Sequence, residues 1–229
     1  MRRWLIGGLV AWAAVTVLLV LVFRLVDPPA SSVMLQRWLT EGAAQTHRWV
    51  PIDAMDPQLA LAVIAAEDQR FPVHWGFDAA QIRAAVEGHL EGRPLRGAST
   101  ISQQVARNLF LWQGGGLLRK GLEAWFTILI ELLWSKQRIL EVYLNIAETG
   151  ERMFGMAEAA ERYFGRPVAG LGARRAALLA AVLPNPVVYR VDRPSAYVLQ
   201  RRNWIVTQMR NLGGVDYLGQ IAPVTAVSR

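Results

Sequence analysis

The segment from Arg96 to Asn108, which reads RGASTISQQVARN, has the side chains of this sequence best suited to binding a polar ligand. Its hydroxyl and amide side chains, which form directional hydrogen bonds, are those of Ser99, Thr100, Ser102, Gln103, Gln104 and Asn108. Arg107 adds a planar, permanently charged group that suits a phosphate. Because helix N-termini attract anions, we expect a site for a polar, anionic ligand where the helix after this cluster begins.

The same residues also fit an ordinary helix start. Ser99 or Thr100 could be the N-cap, and Gln103 could complete a capping box with it. Capping does not explain the second glutamine, Gln104, or the asparagine, Asn108. The binding interpretation is therefore favoured, with the cap present as well.

Glu67 is the first candidate for acid–base chemistry. It ends an apolar run that begins at Leu59, and it follows Val63 by four residues and Ile64 by three. Its carboxylate therefore projects from a helix face that these residues would bury. Partial burial raises the pKa of a carboxyl group, which is how a general base is tuned. The alternative is a glutamate that faces water or pairs with Arg70.

Glu123 is the second candidate carboxylate. With Thr127 and Glu131 it forms one polar stripe on a helix, and Arg119 and Lys120 lie one turn before it. An ordinary solvated face would give the same stripe. Apolar residues cover nearly all the remaining circumference, so the helix belongs in the core or at a membrane, where charges are costly without a purpose.

Helices must position these groups. Apolar periodicity bounded by Gly and Pro predicts helices near 56–68, 78–91, 100–111, 117–134, 136–148, 155–164, 172–183 and 195–211. A third polar stripe, Glu141, Asn145 and Glu148, lies on the helix that Ser135 opens. No run of alternating polar and apolar residues is long enough to predict a substantial sheet. The sequence predicts one mainly α-helical domain.

The N-terminus predicts a membrane anchor. Arg2 and Arg3 precede an uncharged apolar run from Trp4 to Phe23, and about 20 such residues cross a bilayer. A cleaved signal peptide has a shorter apolar region and a small-residue cleavage site, which Asp27–Ser32 does not resemble. We predict an uncleaved anchor whose arginine pair stays cytoplasmic.

The predicted organisation has four parts. They are the anchor over 1–26, a linker over 27–48, a catalytic domain over 49–213 and a tail over 214–229.

Composition narrows the classes of partner. Among 229 residues there is no Cys, which excludes disulfides and thiolate metal sites. The net charge of +7 indicates an anionic partner: nucleic acid, acidic lipid or a phosphate-bearing substrate. The predicted anchor places the basic domain on the outer side of the membrane, away from the cytoplasm, which argues against a nucleic-acid partner. Nine Trp residues favour a membrane interface.

Five segments, in order, resemble the signatures of the peptidoglycan glycosyltransferases, which have a lysozyme-like fold and polymerise lipid II. They are EDQRF with HWGFD (67–78), GASTISQQ (97–104), RKxxE (119–123), KxxILExYLN (136–145), and AALLA through PNP (176–186). The resemblance covers roughly residues 49–213. Because the Ser-x-x-Lys and Lys-Thr-Gly elements of a transpeptidase are absent from the sequence, the chain resembles the monofunctional, membrane-anchored members and implies no transpeptidase activity.

The resemblance implies a role for each candidate. Glu67 would deprotonate the 4-hydroxyl of lipid II, which attacks the anomeric carbon of the growing chain with inversion, while undecaprenyl diphosphate leaves. Glu123 would help to arrange that diphosphate, or a divalent cation (Mg or Mn) bound with it. The implied substrate-binding residues are Asp68, Phe71, Ser99, Thr100, Gln103, Gln104, Arg107, Asn108, Arg119, Lys120 and Asn145. No organic cofactor is implied.

The implied partners are lipid II, nascent glycan strands, the membrane and other cell-wall synthesis or division proteins. The implied location is the bacterial inner membrane, with the domain on its periplasmic side. Two positions depart from the family pattern: Arg107, where Lys is common, and Gly115, where a phosphate-contacting Arg is common.

Two other classes of function remain at this stage. A lysozyme-like hydrolase would share the fold and a catalytic glutamate, but it needs neither a cationic diphosphate site nor an anchor. A scaffold without activity would need neither Glu67 nor Glu123.

Overall fold

The computed structural model describes residues 2–42, 45–92 and 99–221. Within these residues the helices are α1 (Arg2–Leu25), α2 (Ser32–Glu41), α3 (Pro57–Glu67), α4 (Ala79–Leu90), α5 (Ile101–Phe110), α6 (Leu117–Leu133), α7 (Lys136–Ile146), α8 (Met156–Phe164), α9 (Gly172–Val182) and α10 (Ala196–Asn211). The prediction of a mainly α fold is confirmed. Gly97 and Ala98 of the predicted signature, and 222–229 of the predicted tail, lie outside the described residues.

The predicted helices from 56 to 211 all form, with ends within two residues of those predicted. Local caps explain this agreement, since side-chain oxygens of Asp56, Ser135 and Ser195 each accept from a backbone N–H in the first turn of α3, α7 and α10. α7 ends at Ile146, two residues early, because the chain there turns into a strand.

A small sheet joins the start of the domain to its middle. Its strands are β1 (Thr46–His47), β2 (Glu148–Gly150) and β3 (Met153–Phe154), in the order β1-β3-β2. β1 runs parallel to β3, and β2 runs antiparallel to it. Strands of two or three residues are too short to show alternating polar and apolar residues, so the sequence does not predict them.

α3 is the central helix of the core. Every residue from Leu59 to Ala65 is apolar and buried, and the helix packs against α9 and α10. Each large aliphatic side chain buried here contributes about 1.5–3 kcal/mol relative to an exposed one. Glu67 is the last residue of α3, so a helix buried on all sides carries the candidate base.

In the described part of the chain, α1 is the one helix long and apolar enough to cross a membrane. It also docks on the domain through two indole groups. Trp125 Nε1 donates to Thr16 Oγ1 at 3.2 Å, and Trp134 Nε1 donates to the Val20 carbonyl at 2.8 Å. The anchor is therefore packed against α6 along its second half.

Beyond α1, the chain is also held in the stretch predicted as a linker. Arg138 donates to the carbonyls of Phe23 and Val26 and pairs with Asp27 at 2.8 Å. The stretch 27–48 then contains α2 and β1. α2 buries Val33 and Met34 in the same core as α3.

Candidate active site

Glu67 lies at the C-terminus of α3 with only 13% of its side chain exposed. Gln104 Nε2 of α5 donates to one carboxylate oxygen at 3.1 Å, and Arg201 Nη2 of α10 lies 3.3 Å from the other. The predicted alternative partner, Arg70, pairs instead with Asp78 at 3.0 Å. The carboxylate is thus held by two helices distant in sequence.

Burial raises the pKa of Glu67, and it outweighs the hydrogen bond from Gln104 and the charge of Arg201, both of which lower it. The raised pKa expected from the sequence is confirmed. A carboxylate in this state takes up a proton more readily than an exposed one, as a general base requires.

Tyr143 fixes the orientation of Gln104. Its hydroxyl donates to Gln104 Oε1 at 3.2 Å. Burial, and then the nearby charge of Glu67, raise the pKa of Tyr143 well above its ordinary value, so the phenol keeps its proton and acts as the donor. The Gln104 oxygen is thereby engaged, and its NH2 group must face Glu67.

The capping box at the start of α5 is confirmed. Thr100 Oγ1 accepts from the Gln103 N–H at 3.2 Å, and Gln103 Oε1 accepts from the Thr100 N–H at 3.0 Å. The next amide, that of Ile101, donates to Asp68 Oδ2 at 3.0 Å. An internal carboxylate therefore binds one backbone amide at the helix N-terminus where the sequence predicts a site for an anionic ligand.

Asp68 and its neighbours support the site from inside the protein. Asp68 is buried, and its carboxylate contacts His74 Nε2 at 2.9 Å as well as α5. Phe71 is fully buried, and Lys136 Nζ lies 4.6 Å from the centre of its ring. Ser99 is half-buried at the foot of α5. The Asp68 contact with Ile101, together with the bond that Thr100 Oγ1 donates to the Gly76 carbonyl at 2.6 Å, holds the loop after Glu67 against α5.

Asn145 is also fully buried and binds backbone. Its Oδ1 accepts from the Val50 N–H at 2.8 Å, and its Nδ2 donates to the Val50 carbonyl at 2.9 Å. Glu141, one turn earlier, accepts from the Ile52 N–H at 2.9 Å. Glu141 and Asn145 of the third polar stripe therefore secure the segment that leads into α3. The prediction that Glu148 lies on the same helix is wrong, because α7 ends at Ile146 and Glu148 begins β2.

The other polar face of α5 opens on a cleft of about 200 Å³. Its walls include three predicted residues, namely Gln104, Arg107 and Asn108. The remaining walls come from α2, the segment after α5, the end of α7, β2, β3 and the segment after α9: Val33, Gln113, Ile146, Glu148, Phe154, Leu183, Pro184 and Pro186. Arg107 Nε donates to Asn108 Oδ1 at 3.2 Å, which leaves its two terminal nitrogens without a protein partner among the described hydrogen bonds.

Glu123 forms a separate cluster on α6. Its side chain is 1% exposed; Arg119 Nη1 lies 2.8 Å from Oε2, and Lys120 Nζ contacts Oε1. Thr127 and Glu131 are buried too, so the stripe faces the interior and the solvated alternative is wrong. Glu131 pairs in turn with Lys136 at 2.7 Å.

These contacts do not fit a divalent cation held by Glu123. Both carboxylate oxygens already bind cationic side chains, and a metal ion would have to displace one of them. Among residues 2–42, 45–92 and 99–221, no three His, Asp or Glu side chains are grouped as a metal site would need.

The sequence reasoning missed Tyr143, Arg201 and Arg37 as functional candidates, and it named Glu148 only as a member of the third polar stripe. Tyr143 lies inside the predicted KxxILExYLN segment, which is a signal that could have found it. Arg201 lies in α10, a helix with no predicted site residue. Arg37 and Glu148 form an ion pair at 3.1 Å although 111 positions separate them in the chain. Nothing in their local sequence indicates these partners.

A family model described as transglycosylase matches residues 33–210. Similar curated proteins are biosynthetic peptidoglycan transglycosylases. That of Stutzerimonas stutzeri (strain A1501) is 54% identical over 95% of this chain and 93% of its own length. Those of Pseudomonas fluorescens (strain Pf-5) and Cronobacter sakazakii are 51% and 49% identical over 96% of this chain, and over 93% and 94% of their own lengths.

The chain belongs to the transglycosylase family. Its fold, its apolar N-terminal helix and these relatives together support peptidoglycan glycosyltransferase activity. The family match begins at residue 33, inside α2.

Proposed function

We propose that the protein polymerises lipid II into linear glycan strands, transferring the growing chain from undecaprenyl diphosphate to the 4-hydroxyl of lipid II with inversion. The observation that carries this proposal is the position of Gln104. It binds the Glu67 carboxylate at 3.1 Å and also lines the cleft that contains Arg107. Gln104 therefore places the candidate base next to the cationic cleft, and a transfer between two bound sugars requires such proximity.

In the proposed step, Glu67 takes the proton of the 4-hydroxyl as that oxygen bonds to the anomeric carbon of the donor. The bond from that carbon to the diphosphate oxygen breaks, and its electron pair leaves with the diphosphate. Arg107 lies in the cleft, where its guanidinium would stabilise the charge that grows on the leaving group. Arg201 lies against Glu67 and favours the ionised base.

We further propose that α1 crosses the bacterial inner membrane with Arg2 and Arg3 in the cytoplasm and the domain in the periplasm. The arginine pair before the apolar span supports this orientation. The docking of α1 on α6 holds the domain at the bilayer surface. Leu117, Leu118 and Leu132 of α6 are strongly exposed, so they offer an apolar surface to the lipid.

The deciding experiment is incubation of the purified full-length protein with lipid II in detergent, with the products separated on a gel. A ladder of glycan strands is expected. A parallel incubation with finished glycan strands distinguishes the hydrolase, because a hydrolase shortens these strands and a polymerase does not. No strands from lipid II would rule out the proposed function.

The role of the cleft is tested with Arg107→Ala. Losing a hydrogen bond to a charged group should weaken binding of a diphosphate-bearing donor analogue by about 1.5–3 kcal/mol. Arg107→Lys should recover much of this loss because it keeps the charge. The measurement is a calorimetric titration, with the exposed Arg166→Ala as control. Parental affinity in Arg107→Ala would show that the arginine is only structural.

Membrane contact beyond the anchor is tested by deleting residues 1–26. The truncated protein should still float with liposomes through the apolar surface of the segment 110–134, more weakly than the full chain does. Part of that surface is covered by α1 in the full chain, since the Trp12 and Trp125 rings lie 5.5 Å apart. A truncated protein found wholly in the aqueous fraction would contradict this second contact.

A further inference from the structure

α2 forms part of the cleft wall, although its sequence is that of a plain connecting segment. Val33 is buried and lines the cleft together with Gln104 and Arg107 of α5. Two consecutive residues of α2, Gln36 and Arg37, then reach two different segments that also line the cleft.

Gln36 binds the segment that follows α5. Its Nε2 donates to the Leu111 carbonyl at 3.2 Å, and its Oε1 accepts from the Gln113 N–H at 2.8 Å. Ser32 Oγ donates to the same Leu111 carbonyl at 2.5 Å. Gln113 lines the cleft, so one amide group fixes the backbone on both sides of Trp112, at the end of α5 that is nearer to Arg107.

Arg37 binds the other segment. Its Nη2 lies 3.1 Å and 3.3 Å from the two carboxylate oxygens of Glu148 in β2, and its Nη1 lies 2.8 Å from Glu41. Glu148 lines the cleft, and its side chain is 20% exposed. Without Arg37, an unpaired carboxylate would face any anion bound there, and like charges repel strongly where water is partly excluded.

We propose that Gln36 and Arg37 are positioning residues for the donor substrate, with α2 joining two walls of the cleft and setting its shape and charge for a diphosphate group. Gln36 holds the wall at Gln113, and Arg37 neutralises the wall at Glu148. The ligand class rests on the proposed function. The link between the walls rests on the contacts alone.

The test uses the full-length protein in detergent, with farnesyl diphosphate as the titrated probe and lipid II as the substrate. Gln36→Leu removes the hydrogen bonds of the amide to Leu111 and Gln113, together with its bonds to Ser32 within α2, and Arg37→Met removes the charge. Each should weaken probe binding and raise the KM for lipid II by about five- to tenfold. The kcat and the acidic limb of the pH profile should stay within about twofold of the parent, since Glu67 is untouched.

Two further variants separate positioning from general stability. Thr40→Val is the matched control, because the hydrogen bonds of Thr40 Oγ1 in the described part of the chain go to carbonyls of its own helix. This variant should leave KM unchanged. Arg37→Lys keeps the positive charge and should recover most of the lost affinity. If Gln36→Leu fails to fold, Gln36→Glu replaces it, since the carboxylate still accepts from the Gln113 N–H.

The proposal is overturned if KM and probe affinity in Gln36→Leu and Arg37→Met stay within about twofold of the parent, whatever happens to Tm. It is also overturned if Arg37→Lys binds the probe as weakly as Arg37→Met. Absence of lipid II polymerisation by the parent would remove the proposed function. In that case the probe titration still decides whether α2 shapes an anion-binding cleft.

Discussion

Glu67 and Glu123 are both largely buried glutamates beside an arginine, yet the protein treats them differently. Glu67 has one cation, Arg201, at 3.3 Å and one amide, and burial dominates its pKa. Glu123 has two cations from its own helix, one of them at 2.8 Å. The first carboxylate has a raised pKa and can exchange a proton, whereas both oxygens of the second contact cationic side chains.

The difference shows that two buried carboxylates can have very different electrostatic partners. A buried anion whose two oxygens both bind cations is compensated, and removing it leaves those cations without a partner. A buried anion with one longer ion pair is poorly compensated and accepts a proton easily. Whether a buried carboxylate accepts a proton easily therefore depends on its partners and on their distances.

The largest expected effect is on the rate, and it tests the first half of the comparison. Glu67→Gln should lower polymerisation of lipid II by about 10²-fold or more, the scale for losing a general base, without lowering Tm. Product formation on gels and thermal unfolding in detergent are the measurements. Glu161→Gln, an exposed change, is the control. Near-parental turnover would remove Glu67 from the mechanism.

Glu123→Gln tests the second half. Breaking a buried ion cluster should lower Tm by about 5–10 °C, because Arg119 and Lys120 are left uncompensated. Activity should fall as well, through the loss of structure. The two variants should therefore differ. Glu67→Gln should lower the rate without lowering Tm, whereas Glu123→Gln should lower Tm. A parental Tm in Glu123→Gln would show that the ion cluster at Glu123 does not stabilise the fold.

A smaller effect is expected from Arg201→Met. The charge of Arg201 lowers the Glu67 pKa, so its removal should raise that pKa further. Because the base must be ionised, the acidic limb of the rate profile should move to higher pH. Arg201→Lys should restore the limb. The measurement is kcat against pH, and an unmoved limb would show that the ion pair does not tune the base.

The smallest effect concerns stability against pH. The raised pKa means that the folded state binds the Glu67 proton more tightly than the unfolded state, so stability falls as pH rises from about the ordinary value of 4.5 through the raised one. Glu67→Gln should lose this decline. Tm measured across that range in both proteins is the check, and identical curves would contradict the assigned pKa direction.

Sequence reasoning predicted the helices well because the signals are local. Apolar periodicity and N-caps such as Asp56 and Ser135 act within one or two turns, and the tertiary structure agrees with them. α2 was not predicted, because polar and apolar residues are mixed in its sequence. It is stabilised by distant groups, including Glu148 for Arg37 and Leu111 for Gln36.

By itself, the sequence determined the apolar anchor, the central apolar helix that ends at Glu67 and the likeness to a family of glycosyltransferases. Only the tertiary structure decided that Asp68 fills the N-terminus of α5, that Arg201 and Gln104 hold the base and that α2 completes the cleft. The physical reason is the separation in sequence of the groups that interact. Periodicity and caps are set by neighbours in sequence, while the partner of a buried charge is set by packing between elements far apart in the chain.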